Sequence, residues 1–217
     1  MKYFNYTDFW TKEHRRSLFV GLILFSLAVV FQFYASAYVS RVSSNSVADL
    51  LLNFLPIVNL NWLIVEGALG AIIFTFLLVL AKPQYLLFSL KAVAIFIATR
   101  AVFIACTHIG IYPGQVNPDN TGFFDGIYTG LGLQAGFFFS GHTGLPLLMC
   151  LIFWDEKIWR YIYMIMATIF GIAVLFAHVH YTIDVLAAPY MTYAIFKMSQ
   201  YFWPEDYELI EPKTRIW

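Results

Sequence analysis

The chain is poor in charge. Asp, Glu, Lys and Arg make up 12% of its 217 residues, about half the share that a soluble domain carries. An ordinary soluble domain is therefore excluded. Net charge is also lacking, with thirteen basic residues balanced by thirteen acidic ones, so bulk electrostatics draws the chain to neither nucleic acid nor an acidic partner. Cysteine is scarce. Cys106 and Cys150 are the only two, and each falls inside an apolar run. They read as buried small hydrophobes and cannot form a disulfide framework. No internal repeat or low-complexity stretch divides the sequence, so residues 1–217 read as one domain. The first apolar run lacks a small-residue cleavage site and follows a basic segment, which makes it a retained helix.

What is abundant is apolar. Hydrophobic residues make up 60% and aromatics 19%, a balance suited to a protein nearly all embedded in a bilayer. A span needs about 20 apolar residues, and six windows qualify: 17–38, 62–81, 91–111, 137–154, 159–177 and 181–201. The expected fold is all-α, a six-helix transmembrane bundle. Residues 47–60 are apolar but interrupted by Asn53, Pro56 and Asn59. They read as a short interfacial or re-entrant helix.

Lys and Arg set the expected orientation. With both termini cytoplasmic, Lys2, Lys12, Arg15, Arg16, Lys82, Lys91, Lys157, Arg160, Lys197, Lys213 and Arg215 lie inside and only Arg41 lies outside. Residues 107–136 contain no Lys or Arg but carry Asp119 and Asp125. This topology puts the outer ends of spans four and six on the periplasmic, lumenal or extracellular side. A bacterial inner membrane fits.

Two segments at those outer ends carry proton-handling groups. The first is Ser140-Gly141-His142-Thr143. The second, His180-Tyr181-Thr182-Ile183-Asp184, begins thirty-eight residues past His142. His180 and Asp184 are four apart and share one helix face. A carboxylate so placed holds one imidazole nitrogen and leaves the other free to attack. His142 opens a helix, where unpaired N–H groups attract phosphate. Gly141 allows close backbone approach, Ser140 and Thr143 offer hydroxyls, and an imidazole there can serve as acid and then base. His178 and Tyr181 flank His180 as substrate-contact candidates. His178 and His180 lack the further partners a metal needs, so no metal site is expected. Arg100 and Glu66 are intramembrane charges. They read as an internal ion pair, as Arg100 neutralising a phosphate with Glu66 facing a headgroup cavity, or as both at once. Arg100 is expected about 15 Å below the end of its helix. Tyr38, Tyr112, Trp62 and Phe123-Phe124 read as rim anchors that could also face a cationic headgroup.

The run 139–144 and the run 177–185, with Pro113-Gly114 and Phe196, resemble the sphingomyelin synthase branch of the type 2 phosphatidic acid phosphatase superfamily. The likeness spans roughly 91–196, within a catalytic half of about 91–203. The resemblance implies a catalytic triad in which His180 is the nucleophile, Asp184 orients it, and His142 is acid and base. It also implies no metal or other cofactor, and transfer of phosphocholine or phosphoethanolamine from a glycerophospholipid to ceramide. The chain departs from the family pattern at Gln134-Ala135-Gly136, Pro189 and Ser199-Gln200. Val174 stands where lipid phosphatases carry an arginine, six residues before the nucleophile, which favours a diester substrate.

Three readings follow. The first is a headgroup phosphotransferase with a phospholipid donor and a lipid alcohol acceptor, ceramide or diacylglycerol. The second is a lipid phosphatase or phospholipase C-type hydrolase using the same histidines. The third is a non-enzymatic lipid-binding membrane protein. None requires nucleic acid.

Overall fold

The computed structural model describes residues 9–42, 45–116 and 138–211. Among them the ordered elements are helices: α1 (Lys12–Val42), α2 (Ala68–Ala81) preceded by a π-helical turn (Leu63–Gly67), α3 (Pro83–Cys106), α4 (Gly141–Ile152), α5 (Lys157–Phe176), α6 (Thr182–Phe202) and the short α7 (Pro204–Glu208). The expected positions Lys2, Asp119, Asp125, Phe123, Phe124, Gln134, Ala135, Gly136, Lys213 and Arg215 lie outside the described residues.

Among the described residues four stretches are long and apolar enough to cross a membrane: Lys12–Val42, Leu63–Ala81, Pro83–Cys106 and Lys157–Phe176. They support an integral membrane protein. α4 has 12 residues, about 18 Å at 1.5 Å per residue, against a hydrocarbon core of about 30 Å. α6 has the length, at 21 residues, but Thr182, Asp184, Thr192, Lys197 and Ser199 dilute its apolar character.

α1 packs along α3 through small residues. Gly21, Ala28 and Ala35 recur every seven positions on its buried face, which lets two helix backbones approach closely where apolar lipid offers no hydrophobic drive. A β-carbon on Gly21 would lie 3.0 Å from Leu90 Cδ2. The opposite face exposes Phe19, Leu27, Val30 and Tyr34, as a lipid-facing surface requires. Phe88, Phe96, Phe139, Phe153 and Tyr163 fill the core between α3, α4, α5 and α6.

Helix bounds differ from expectation in ways that matter. α3 begins at Pro83, separated from α2 by Lys82 alone, because proline suits the first helical position. Lys91 is therefore two turns inside the helix and buried. It pairs with Asp206 of α7, while the Ser17 hydroxyl donates to the other Asp206 oxygen at 2.7 Å. Lys82 pairs with Glu156 at the same end of the bundle. α3 stops at Cys106, where Thr107 turns extended, so Cys106 is exposed while Cys150 is buried.

Residues 47–60 do not form the expected interfacial helix. They make one irregular turn and a strap across the end of the bundle opposite Lys82. Asp49 explains why: its carboxylate takes the amides of Leu51 and Leu52 at 2.9 and 3.1 Å, the local side-chain competition that diverts a chain from helix. The strap is tied down by Val58 N–H to Phe176 carbonyl at 2.8 Å and by Tyr112 hydroxyl to Asn53 at 2.6 Å.

Candidate active site

The starts of α4 and α6 meet beneath this strap. Ser140 is the N-cap of α4, with its hydroxyl facing the Thr143 amide. The Ser140 amide donates to the backbone carbonyl of Asp184 at 3.0 Å, so the two motifs are joined main chain to main chain. The two imidazoles then sit close together. The ring centroids of His142 and His180 are 6.0 Å apart, nearly edge to face, a separation short enough for one tetrahedral group to reach both.

Asp184 is fully buried. One of its oxygens accepts from the Tyr181 amide at 3.0 Å and lies 3.3 Å from His180 Nδ1. The same carboxylate thus caps α6 and holds the ring, which leaves Nε2 as the nitrogen not facing the acid. Its second oxygen has no partner among the described residues.

Arg100 reaches the site from α3. It lies six residues from Cys106, about 9 Å at the helical rise, because the helix ends earlier than the hydropathy suggests. Its Nε donates to the Phe139 carbonyl at 2.9 Å. A β-carbon on Gly141 would stand 3.6 Å from that Nε, so the glycine adjoins the guanidinium.

Arg100, Gly141, His142 and His180 share a cavity of about 780 Å³. Its remaining wall is mostly apolar and runs from Leu18 and Tyr163 near the lysine end to Val179 at the histidine end. Glu66 does not line it. Ile64, Val65 and Ala68 face inward, whereas Glu66 is exposed on the far side of the π-helical turn. Among the described residues Glu66 makes no ion pair with Arg100, and it stands outside the cavity that holds the histidines.

His178 has φ 55°, a left-handed conformation uncommon for a residue with a side chain. It forms the turn that leads from α5 to His180. It is buried, stacks edge-on against Tyr112 with centroids 5.3 Å apart, and does not line the cavity. Val174 supplies its carbonyl to the amides of Val179 and His180 at 2.9 and 3.4 Å, so that position stabilises the turn. Tyr181 is a structural tie, its hydroxyl donating to the Gly110 carbonyl at 2.8 Å. Pro113-Gly114 is a tight corner, with Gly114 at φ 84°.

Residues 136–201 match the PAP2 superfamily C-terminal family. No curated protein and no solved structure matches the chain. The matched segment contains α4, α5 and nearly all of α6, and with them His142, His178, His180 and Asp184. The match supports the PAP2 superfamily, whose members are generally phosphatases or phosphotransferases, and so supports an enzyme of lipid phosphoryl chemistry.

One residue outside the PAP2 segment escaped the sequence reading. Asp49 accepts from the Thr182 amide at 2.7 Å and from its hydroxyl at 2.5 Å, pinning the strap to the first residue of α6. Burial alone would raise its pKa. The hydrogen bonds from Thr182, Leu52 and Leu51 outweigh that and hold it below the usual value of 3.8. The stabilisation is therefore fully present above the ordinary carboxylate pKa and is lost as pH falls through the depressed one. Asp49→Ala should destabilise the protein by about 1.5–3 kcal/mol. A thermal melt reads this, and the gap between variant and wild type should close only under strongly acid conditions. An unchanged melting temperature at neutral pH would contradict it.

Proposed function

We propose that the chain is a phospholipid headgroup phosphotransferase of the sphingomyelin synthase type, working through a phosphohistidine at His180. What supports this reading is one observation: two imidazoles, one backed by a buried carboxylate, at the mouth of a tall apolar cavity.

On this reading a glycerophospholipid seats its chains in the cavity. His180 Nε2 attacks phosphorus, the P–N bond forms, and the P–O bond to diacylglycerol breaks. His142 gives its proton to the departing oxygen. A lipid alcohol then delivers its proton to His142 while its oxygen displaces His180 from phosphorus. Arg100 and the first-turn amides of α4 balance the phosphate charge. Apolar walls exclude water and so favour transfer over hydrolysis. The histidine end would face the periplasm, lumen or exterior, because Lys82, Lys157 and Arg160 lie at the other end.

The test is product identity. Purified protein receives labelled phosphatidylcholine or phosphatidylethanolamine, with and without ceramide or diacylglycerol. The expected result is a labelled lipid that depends on the added acceptor, at a rate unchanged by EDTA. Water-soluble phosphocholine or phosphoethanolamine alone would establish the hydrolase instead. Loss in EDTA with rescue by a divalent ion would bring metal into the mechanism.

A further inference from the structure

Gln32 lies in the middle of α1, where an apolar residue would be expected. It is 6% exposed. Its amide nitrogen donates to Ser36 Oγ at 2.9 Å, while its carbonyl oxygen has no partner among the described residues. That oxygen belongs to a side chain lining the cavity that holds Arg100, His142 and His180.

Its height along the bundle follows from three contacts. Lys91 Nζ donates to Ser17 Oγ at 2.8 Å, and the Tyr38 and His108 rings are 5.5 Å apart. α1 and α3 therefore run in the same direction. Gly21 meets Leu90 across the two helices, and eleven residues on from each are Gln32 and Ala101. Gln32 thus lies within about one helical turn of Arg100, at the level of the histidine pair.

An unmatched buried acceptor is costly and asks for a donor from whatever enters. Diacylglycerol has none to spare, because beyond its reacting hydroxyl it offers only ester oxygens. A lipid alcohol with an amide N–H or a second hydroxyl beside the reacting one fits. We propose that Gln32 selects the incoming lipid alcohol by accepting a hydrogen bond from this second donor, disfavouring return of the headgroup to diacylglycerol. Discrimination of this kind is steep, because the wrong partner leaves a buried polar group unpaired. The proposal rests on the transfer reading, in which the acceptor oxygen bonds phosphorus as the His180 P–N bond breaks and its proton passes to His142. Gln32 forms no bond to phosphorus and acts as a specificity residue.

The experiment compares wild type with Gln32→Leu, and with Gln32→Met as the closer match in shape. Three quantities are read in the reconstituted full chain: phosphoenzyme labelling by donor alone, transfer to ceramide, and exchange into 1,2-diacylglycerol. The apparent KM for ceramide should rise about tenfold, with labelling unchanged and exchange into diacylglycerol undiminished or faster. An unchanged ceramide KM, or equal losses with both alcohols, overturns the proposal. Photocrosslinking of a diazirine ceramide, which needs no turnover, separates the two layers of the argument. Weaker crosslinking in the variants supports Gln32 recognition even if no phosphoenzyme forms and the transfer reading falls. Equal crosslinking overturns the Gln32 role whatever the chemistry.

Discussion

His180→Ala abolishes turnover and phosphoenzyme labelling, with a fall of about 10⁴-fold or more. The argument is positional. Nδ1 of this ring faces a fully buried carboxylate, Nε2 is the nitrogen on the side away from that acid, and among the described residues His142 is the other imidazole lining the cavity. On the phosphohistidine reading proposed above, removing the ring removes the nucleophile, and water in its place has neither the position nor the basicity. The fold should survive, because His180 contributes no helix cap and its amide bond to Val174 is main chain. The checks are a rate assay beside a melting curve. Full activity in the variant would sink the phosphohistidine mechanism. His142→Ala separates the roles: labelling by a donor with a good leaving group should persist while turnover on natural phospholipid drops.

Asp184→Asn should lower turnover by about 10³–10⁴-fold, and here stability moves too. The carboxylate accepts from the Tyr181 amide and faces His180 Nδ1. An asparagine can keep one of these acceptances, but it loses the charge that stabilises an imidazolium-like ring in the transition state. It can also turn its NH₂ toward Nδ1 and trap the wrong tautomer. The loss should appear mainly in kcat, with donor KM little changed, because Asp184 lies behind His180 and away from the lipid. A variant within threefold of wild type would remove Asp184 from the mechanism. A rise in KM alone would recast it as a binding group.

Much of this site was legible because its parts are local. The four-residue spacing of His180 and Asp184, the serine cap before His142 and the corner at Pro113-Gly114 are short-range features that any helix or turn would express in the same way. What escaped depends on contacts distant in sequence. Asp49 binds Thr182 across 133 residues, and nothing in the local run 47–60 marks that carboxylate as a fastener for another helix. Gln32 carries no local signal within its span, because its meaning comes from the cavity it lines. Glu66 was misleading for the opposite reason: an intramembrane charge suggests a partner, but the π-helical turn carries it to the outer surface. Helix ends also shifted. The hydropathy runs blurred Lys82-Pro83 and carried the third span past Cys106, which is why Arg100 looked deeper than it is.

The long slot between α1, α2, α3 and α5 has a practical consequence. A greasy trough of that height, open to the surrounding hydrocarbon, will not stand vacant in a purified sample. Extraction should leave a passenger molecule in it, either a native lipid or a solubilising detergent whose tail is the right length. Apparent potency in vitro should then vary with the alkyl length of the surfactant, and kinetic constants gathered in different micelles should be compared only after that competitor has been diluted away.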